Sequence, residues 1–213
     1  MRRRHLNDRR RRRGDAALSL LDGALKVLAS PRRKKQPELV RRALIDCAAK
    51  LALEQGLAAV TVQAVCEAAG VTKGALFHHF ANKQALIEGV VGDLMEQMGS
   101  NIDAAMADDP EPRGRYTRAY VKVVLDDLML NHGSQWTALY VSTLAAPSLR
   151  RMTGEWLARS IERHRATDDE PHLQVARLAA DGAWLAALLR DDGGPMPDLS
   201  ALRERLVAMT RKI

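Results

Sequence analysis

The spacing of apolar residues predicts helices along most of the chain. Leu44, Ala48 and Ala52 recur on one face of a first helix. This helix should end near Gly56, a residue suited to the left-handed C-cap position. Segments with the two-residue alternation typical of β-strands are nearly absent, and Ala, Leu, Arg and Glu dominate the composition. The sequence therefore predicts an all-α fold.

Two short helices joined by a tight turn follow the first one. Thr61 is a good N-cap for the earlier helix, and Thr72 is a good N-cap for the later one, which should run to about Phe80. Gly70, in the connecting stretch "AAGV", relieves the turn. This arrangement over residues 61–80 is the geometry of a helix-turn-helix, in which the second helix enters the major groove of DNA.

The second short helix carries the candidate DNA contacts. Thr72, Lys73 and Gly74 lie at its N-terminal end, where backbone N–H groups favour phosphate and side chains reach base edges. His78 and His79 cannot share one face, so at least one should point outward and donate to phosphate; surface solvation is the alternative for each. Adjacent helical positions diverge by about 100 degrees, so no metal site is expected there.

The flanks of this helix add two expectations. Leu76 and Phe80 lie four residues apart and should pack in the core rather than contact DNA. Asn82 should cap a fourth helix, whose first turn holds Lys83. A lysine is poorly placed there for the helix dipole, but its position makes sense if a phosphate lies alongside.

The net charge of +7 is concentrated at the start of the chain. Residues 1–35 hold thirteen lysines and arginines and three acidic residues, residues 36–90 hold five of each, and residues 91–213 hold fifteen and eighteen. A basic arm beside a near-neutral body suits a polyanionic partner such as nucleic acid, and a solvated tail is the alternative. Because counterion release scales with the phosphates neutralised, dimerisation or the arm should support DNA binding.

Other functional classes have little support in the sequence. No stretch approaches the roughly 18 to 20 apolar residues of a membrane span, and Asp22 and Lys26 interrupt the one segment that resembles an export signal. No motif for a metal site, a phosphate-binding loop or a nucleophilic serine is present, so neither an enzyme nor a cofactor is expected. Cys47 and Cys66 should pack as small hydrophobes. We expect a cytoplasmic protein.

The C-terminal half contains further helical segments and candidate ligand contacts. Helices are predicted over residues 116–131, 135–144, 147–166, 172–191 and 199–209, with loops over residues 108–115 and 167–171. Lys122 and Asp126, four apart, should form an exposed ion pair. If Asp127 faces inward, a cationic ligand is favoured. Large side chains of these helices could line a ligand pocket or simply fill the core, namely Met129, Trp136, Tyr140, Met152, Trp156 and Trp184.

Residues 41–86 resemble the N-terminal DNA-binding domain of the TetR/AcrR family of transcriptional regulators. The family pattern "ILDAA", "G…TTV" and "AGVSKGALYHHFPSKEAL" is met by "RRALIDCAA", "GLAAVTV" and "AGVTKGALFHHFANKQAL". The resemblance implies contacts with DNA at Thr61, Thr72, Lys73, Gly74, Ala75, Phe77, His78, His79 and Lys83. Phe77 departs from the usual tyrosine and lacks its hydroxyl, so packing or contact with a thymine methyl is expected in place of a phosphate contact.

The resemblance also implies how the chain is organised. Residues 1–35 would form a basic extension, residues 36–95 the DNA-binding domain, and residues 96–213 a helical domain for ligand binding and dimerisation. Residues 172–190 and 198–211 would pair with their copies in a four-helix bundle. Small residues would allow the close approach of these helices, namely Ala179, Ala180, Gly182, Ala183 and Ala186.

The predicted function is that of a homodimeric regulator, with repression as the expected outcome. It would bind a palindromic operator in double-stranded DNA and be released by a small molecule. The alternative is a sequence-blind binder of nucleic acid or a membrane surface that acts through the arginine-rich arm of residues 1–35.

Overall fold

Every regular element in the part of the chain that the structure describes is helical, which confirms the predicted all-α fold. This computed structural model describes residues 37–130, 145–188 and 198–211, with the side chains of residues 127, 129, 130 and 188 excepted. The basic arm of residues 1–35 therefore lies outside the described residues. The chain divides after Val90 into two compact units.

Three helices and the start of a fourth form the first unit. They are α1 (Pro37–Gln55), α2 (Val62–Ala69), α3 (Lys73–His79) and α4 (Lys83–Ala107), with a 3₁₀ turn over Leu57–Ala59 between α1 and α2. Each of these helices contributes fully buried side chains, namely Leu44, Ala48, Val65, Leu76 and Leu86. The packing of α1 against α2 and α3 holds the two short helices, which are marginal alone.

The end of α1 differs from the prediction in one detail. The helix stops at Gln55, and the backbone N–H of Gly56 donates to the carbonyl oxygen of Ala52 at 3.0 Å. Gly56 has φ 81° and ψ 165°, however, which lies outside the left-handed helical region. The predicted left-handed C-cap at Gly56 is therefore wrong, although its positive φ still favours glycine.

The second unit contains the rest of α4 and five helices, which are α5 (Arg115–Leu130), α6 (Pro147–Arg163), α7 (Arg165–Asp168), α8 (Pro171–Leu188) and α9 (Leu199–Met209). Helix α5 packs against both α8 and α9. Its predicted apolar stripe is buried in this core, at Val121, Val124, Leu125 and Leu128. Asp126 forms an ion pair with Arg203 of α9, so the predicted pair with Lys122 is wrong.

A buried arginine organises the loop before α5. The guanidinium of Arg118 is fully buried, and its Nε donates to a carboxylate oxygen of Asp109 at 2.6 Å. Its two terminal nitrogens donate to the backbone carbonyl oxygens of Arg113 at 2.8 Å and Glu111 at 2.6 Å. One side chain thus satisfies the polar groups of residues 109–113 and fixes the loop against α5.

Candidate functional site

Side-chain caps and one left-handed glycine set the geometry of α2 and α3. The hydroxyl of Thr61 accepts from the backbone N–H of Ala64 at 3.1 Å, and that of Thr72 accepts from Ala75 at 3.2 Å. Between the helices, Gly70 has φ 62° and ψ 36°, a left-handed conformation that costs glycine little. The expected helix-turn-helix is therefore present, with both predicted N-caps in place.

Helix α3 has a buried face and an exposed face. Leu76 and Phe80 are buried, as predicted for core residues. The opposite side of α3 reaches solvent, as do Thr61 at the start of the motif and Lys83 after its end. Among the predicted DNA contacts, the exposed residues are Thr61, Thr72, Lys73, Gly74, Phe77, His78 and Lys83, whereas Ala75 and His79 are half-buried.

Two positions on the exposed face lack an internal reason for their residue type. Among the described residues, a methyl group added at Gly74 would meet only the hydroxyl of Thr72, at 3.8 Å, so none of them requires glycine there. Phe77 is 48% exposed, so about half of its surface is not covered by the described residues. Both residues are therefore available to an external surface, and Phe77 can offer an apolar contact.

The two histidines differ in their surroundings. Their rings meet edge to face, with centroids 5.2 Å apart. Burial lowers the pKa of His79, and the neighbouring His78 lowers it further, which favours the neutral ring in the free protein. A neutral imidazole still donates through one ring nitrogen. His79 can thus serve a phosphate without first being charged.

The start of α4 presents a positive charge next to a defined cap. Asn82 accepts from the backbone N–H of Ala85 at 2.8 Å, as predicted for an N-cap. Lys83 is exposed, and neither Lys83 nor Lys73 forms an ion pair among the described residues. An open groove lies beside α3. It is lined by Pro37, Val40, Gly70, Val71, Thr72, Ala75, His78 and His79.

The remaining chemistry of this unit is inert. Cys47 is half-buried and Cys66 is buried, and burial raises the pKa of both thiols, which disfavours the reactive thiolate. Within the described ranges, no cluster of three or more His, Cys, Asp or Glu side chains could hold a metal ion. Nor does any helix in those ranges have the length and apolarity to cross a membrane.

The second unit contains a cavity of about 110 Å³ between α4, α5 and α6. Of the ligand residues predicted from the sequence, Trp156 lines it, Trp184 packs against the core and Met152 is half-buried on α6. Trp136 and Tyr140 lie outside the described residues, as do the side chains of Asp127 and Met129. The cavity is also lined by residues that the periodicity did not single out, namely Gly99, Ile102, Asp103, Tyr116, Arg159, Ser160, Arg163 and His164.

His164 illustrates why these residues were missed. Its neighbours in the sequence are charged, yet its ring stacks on that of Tyr116 with centroids 4.5 Å apart and planes 12° apart. Tyr116 is on α5, whereas His164 lies between α6 and α7, far away in the sequence. No local signal in the sequence indicates their contact.

A helix-turn-helix with an exposed second helix, followed by a separate helical unit, defines a DNA-binding regulator of transcription. A family model described as "Bacterial regulatory proteins, tetR family" matches residues 44–90, and one described as "Tetracyclin repressor-like, C-terminal domain" matches residues 114–211. The chain belongs to the TetR family. Membership makes it a DNA-binding transcriptional regulator rather than an enzyme.

Individual relatives support this assignment. The transcriptional regulator BetI of Serratia proteamaculans is 30% identical over 172 residues, which cover 75% of this chain and 86% of BetI. Two solved structures share the fold. The TetR family member SCO1917 of Streptomyces coelicolor has a TM-score of 0.60 at 23% identity, over 80% of this chain and 97% of the other. The multidrug binding protein EbrR, complexed with malachite green, has a TM-score of 0.60 at 24% identity, over 79% and 96%.

Proposed function

We propose that this regulator is a homodimeric repressor that binds a palindromic operator through α3 and leaves it when a small molecule binds the second unit. The exposed face of α3 carries this proposal. It combines a capped backbone, an uncrowded Gly74 and the charge of Lys73 at the helix N-terminus, where phosphates and base edges are reached. Lys73 has no ion pair with any described residue. We expect the protein to act in the cytoplasm, where bacterial DNA lies.

The surface of α8 supports association with a second copy. Val175, Leu178 and Leu185 are 52%, 70% and 46% exposed, and they lie on one side of the helix together with exposed Gly182 and Ala186. Nothing in the described residues covers Gly182, since a methyl group added there would meet no atom within 4 Å. A twofold axis would place this apolar face against its own copy.

The small residues of α8 thus fall into two groups. Ala180 is fully buried in the core of its own chain, and Ala179 and Ala183 pack against that core. Only Gly182 and Ala186 are exposed and free to allow the close approach of a partner helix. Of the five small residues named from the sequence, these two retain the proposed role in a four-helix bundle formed by α8, α9 and their copies.

Two reading helices in one dimer would contact successive major grooves, with half-sites a helical turn or a multiple of it apart. The ligand would cause release of the operator if it binds the protein more tightly at one separation of the reading helices than at the other. Helix α4 is the proposed connection, because it begins at Lys83 beside the motif and includes Gly99, Ile102 and Asp103 of the cavity. EbrR, which shares the fold, is a multidrug binding protein.

The test is footprinting of the purified protein on DNA from its own upstream intergenic region, at near-physiological salt and with excess unrelated DNA. We expect a protected palindrome, and Lys73→Ala should weaken its protection. Lys50→Ala is the matched control, since this exposed lysine lies on α1 within 4.0 Å of Glu54. Equal affinity of the wild type and Lys73→Ala would refute α3 as the reading helix.

The arginine-rich arm requires a separate test. Deletion of residues 1–35 should leave protection of the palindrome intact if the helix-turn-helix reads the operator. Counterion release predicts a smaller salt dependence of the affinity after the deletion if the arm neutralises phosphates. Loss of all specific protection would instead favour the arm as a sequence-blind binder.

A further inference from the structure

The hydroxyl of Tyr116 is a buried polar group without a hydrogen bond to any described residue. The residue is 2% exposed, and no donor or acceptor within residues 37–130, 145–188 and 198–211 pairs with the hydroxyl oxygen. Ser160, another residue lining the cavity, lies near enough to affect the pKa of Tyr116, although the two hydroxyls do not meet hydrogen-bond geometry. An unpaired buried hydroxyl is costly, so its persistence beside a cavity points to a polar group that it binds there.

The ring of Tyr116 is held in place from two sides. The imidazole of His164 stacks on it, and the guanidinium carbon of Arg177 lies 5.9 Å from its centroid. Arg177 itself is fixed by hydrogen bonds from its guanidinium to the hydroxyl of Thr117 and the carbonyl oxygen of Asp168. The hydroxyl is therefore a preorganised group at the cavity rather than a mobile one.

The walls of the cavity offer flat surfaces to an aromatic ring, and its volume allows one ring at most. Its volume of about 110 Å³ is somewhat below the ~150 Å³ that accommodates benzene in an engineered protein cavity. The indole of Trp156 forms one wall and packs close to Gly99, where an added methyl group would lie 3.8 Å from the indole. Ile102 adds apolar surface. An aromatic ring would gain offset stacking against these walls.

The polar groups of the cavity are mostly donors. Burial raises the pKa of Tyr116 to about 12, so the hydroxyl keeps its proton and donates. The guanidinium groups of Arg159 and Arg163 add positive charge; Arg159 has only a 3.8 Å pair with exposed Glu155, and Arg163 has no ion pair among the described residues. Asp103 is the one acidic residue among the described residues that line the cavity. This balance favours an anionic ligand.

We propose that this cavity binds a small aromatic acid, with its ring against Trp156 and its carboxylate held by Tyr116, Ser160 and the two arginines. The inference rests on the proposed ligand-responsive function and names the chemical class of its ligand. Asp103 also lines the cavity and supplies an acceptor for a hydroxyl on the ring, so hydroxybenzoates belong to the same class.

The experiment titrates the full-length protein, without DNA, with three probes that share one ring and differ in charge: benzoate, benzyl alcohol and benzylamine. Isothermal calorimetry measures the affinity, and Trp156 provides a fluorescence signal. Benzoate should bind at least about tenfold more tightly than benzyl alcohol, and benzylamine should bind most weakly. Loss of a hydrogen bond to a charged group predicts that Tyr116→Phe weakens benzoate binding about 10- to 100-fold.

Tyr120→Phe is the matched control. Its hydroxyl donates to Asp181 at 2.6 Å and does not line the cavity, so benzoate affinity should stay unchanged. Tyr116→Phe removes a hydroxyl that has no hydrogen-bond partner among the described residues, and it should therefore fold as the wild type does. Arg163→Gln should reduce the preference for benzoate over benzyl alcohol.

Three results would overturn the inference: no binding of benzoate, equal or tighter binding of benzyl alcohol or benzylamine, or unchanged benzoate affinity in Tyr116→Phe. Footprinting of the same protein preparations separates this outcome from failure of the proposed function. A protein that protects its operator but does not bind benzoate contradicts the ligand class alone. A protein that protects no operator contradicts the proposed repressor.

Discussion

Replacement of Leu178 by serine should separate the proposed dimer into monomers without unfolding either copy. Leu178 is the most exposed large apolar residue among those of α8 whose side chains the structure describes, at 70%. Full burial of a leucine stabilises by about 1.5–3 kcal/mol, so its exposed part would contribute about 1–2 kcal/mol on association. A twofold dimer buries two copies, which gives roughly 2–4 kcal/mol. At 1.4 kcal/mol per decade, the dimer dissociation constant should rise about 30- to 700-fold.

Sedimentation equilibrium over a range of protein concentrations measures this constant, and circular dichroism checks that the variant remains helical. Leu39→Ser is the matched control, because Leu39 is an exposed leucine, at 49%, on α1 of the first unit. The control should dimerise as the wild type does. An unchanged dissociation constant for Leu178→Ser, with folding intact, would show that α8 does not form the interface.

Three further predictions concern α3 and the buried ion pair. Gly74→Ala should raise the unfolding free energy by up to ~1 kcal/mol, because no described residue crowds the new methyl group. The same variant should weaken operator binding. Tighter binding would contradict a close approach of the backbone to DNA at Gly74. The pKa of His79 is lowered in the free protein, and a nearby phosphate would raise it. Operator affinity should therefore increase from pH 8 towards pH 6. A His79→Gln variant with the same dependence of affinity on pH would refute the contact. Asp109→Asn leaves the charge of Arg118 unpaired and should cost roughly 3–5 kcal/mol in chemical unfolding, and a loss below 1 kcal/mol would refute the buried pair.

The sign of the pH dependence at Asp109 follows from its surroundings. Burial pushes its pKa up, but hydrogen bonds from Arg118 and the backbone of Glu111, with the charges of Arg118 and Lys122, outweigh this and hold the pKa below its usual value. The stability it contributes is therefore complete above the unfolded-state pKa of about 4 and is lost as the pH falls below that value. Asp109→Asn should remove this component of acid unfolding.

The DNA-binding unit could be predicted closely because its signals are local. Each cap joins residues three apart, as Thr61 joins Ala64 and Thr72 joins Ala75, and the buried positions Leu76 and Phe80 follow helical spacing. The short motif also resembles its family over a continuous stretch. Even here, the conformation of Gly56 depended on the 3₁₀ turn that follows it, which the apolar pattern does not encode.

The second unit shows what spacing along the chain leaves open. Lys122 and Asp126 satisfy the rule for a helical ion pair, yet the carboxylate pairs with Arg203, 77 residues away, because α9 packs alongside α5. Ala180 and Gly182 look equivalent as small residues, but one fills the core and the other is exposed. Local rules describe which partners are near in sequence, and packing decides which are near in space.

The sequence by itself determined the helical class, the helix-turn-helix and the family, because periodicity, capping and the motif of residues 71–86 act over a few residues. Only the tertiary structure decided which face of α8 is exposed, that Arg118 is buried with Asp109, and that Tyr116 meets His164 at a cavity. Those features depend on contacts between helices that are distant in sequence, and burial and unpaired polar groups exist only once the helices have packed.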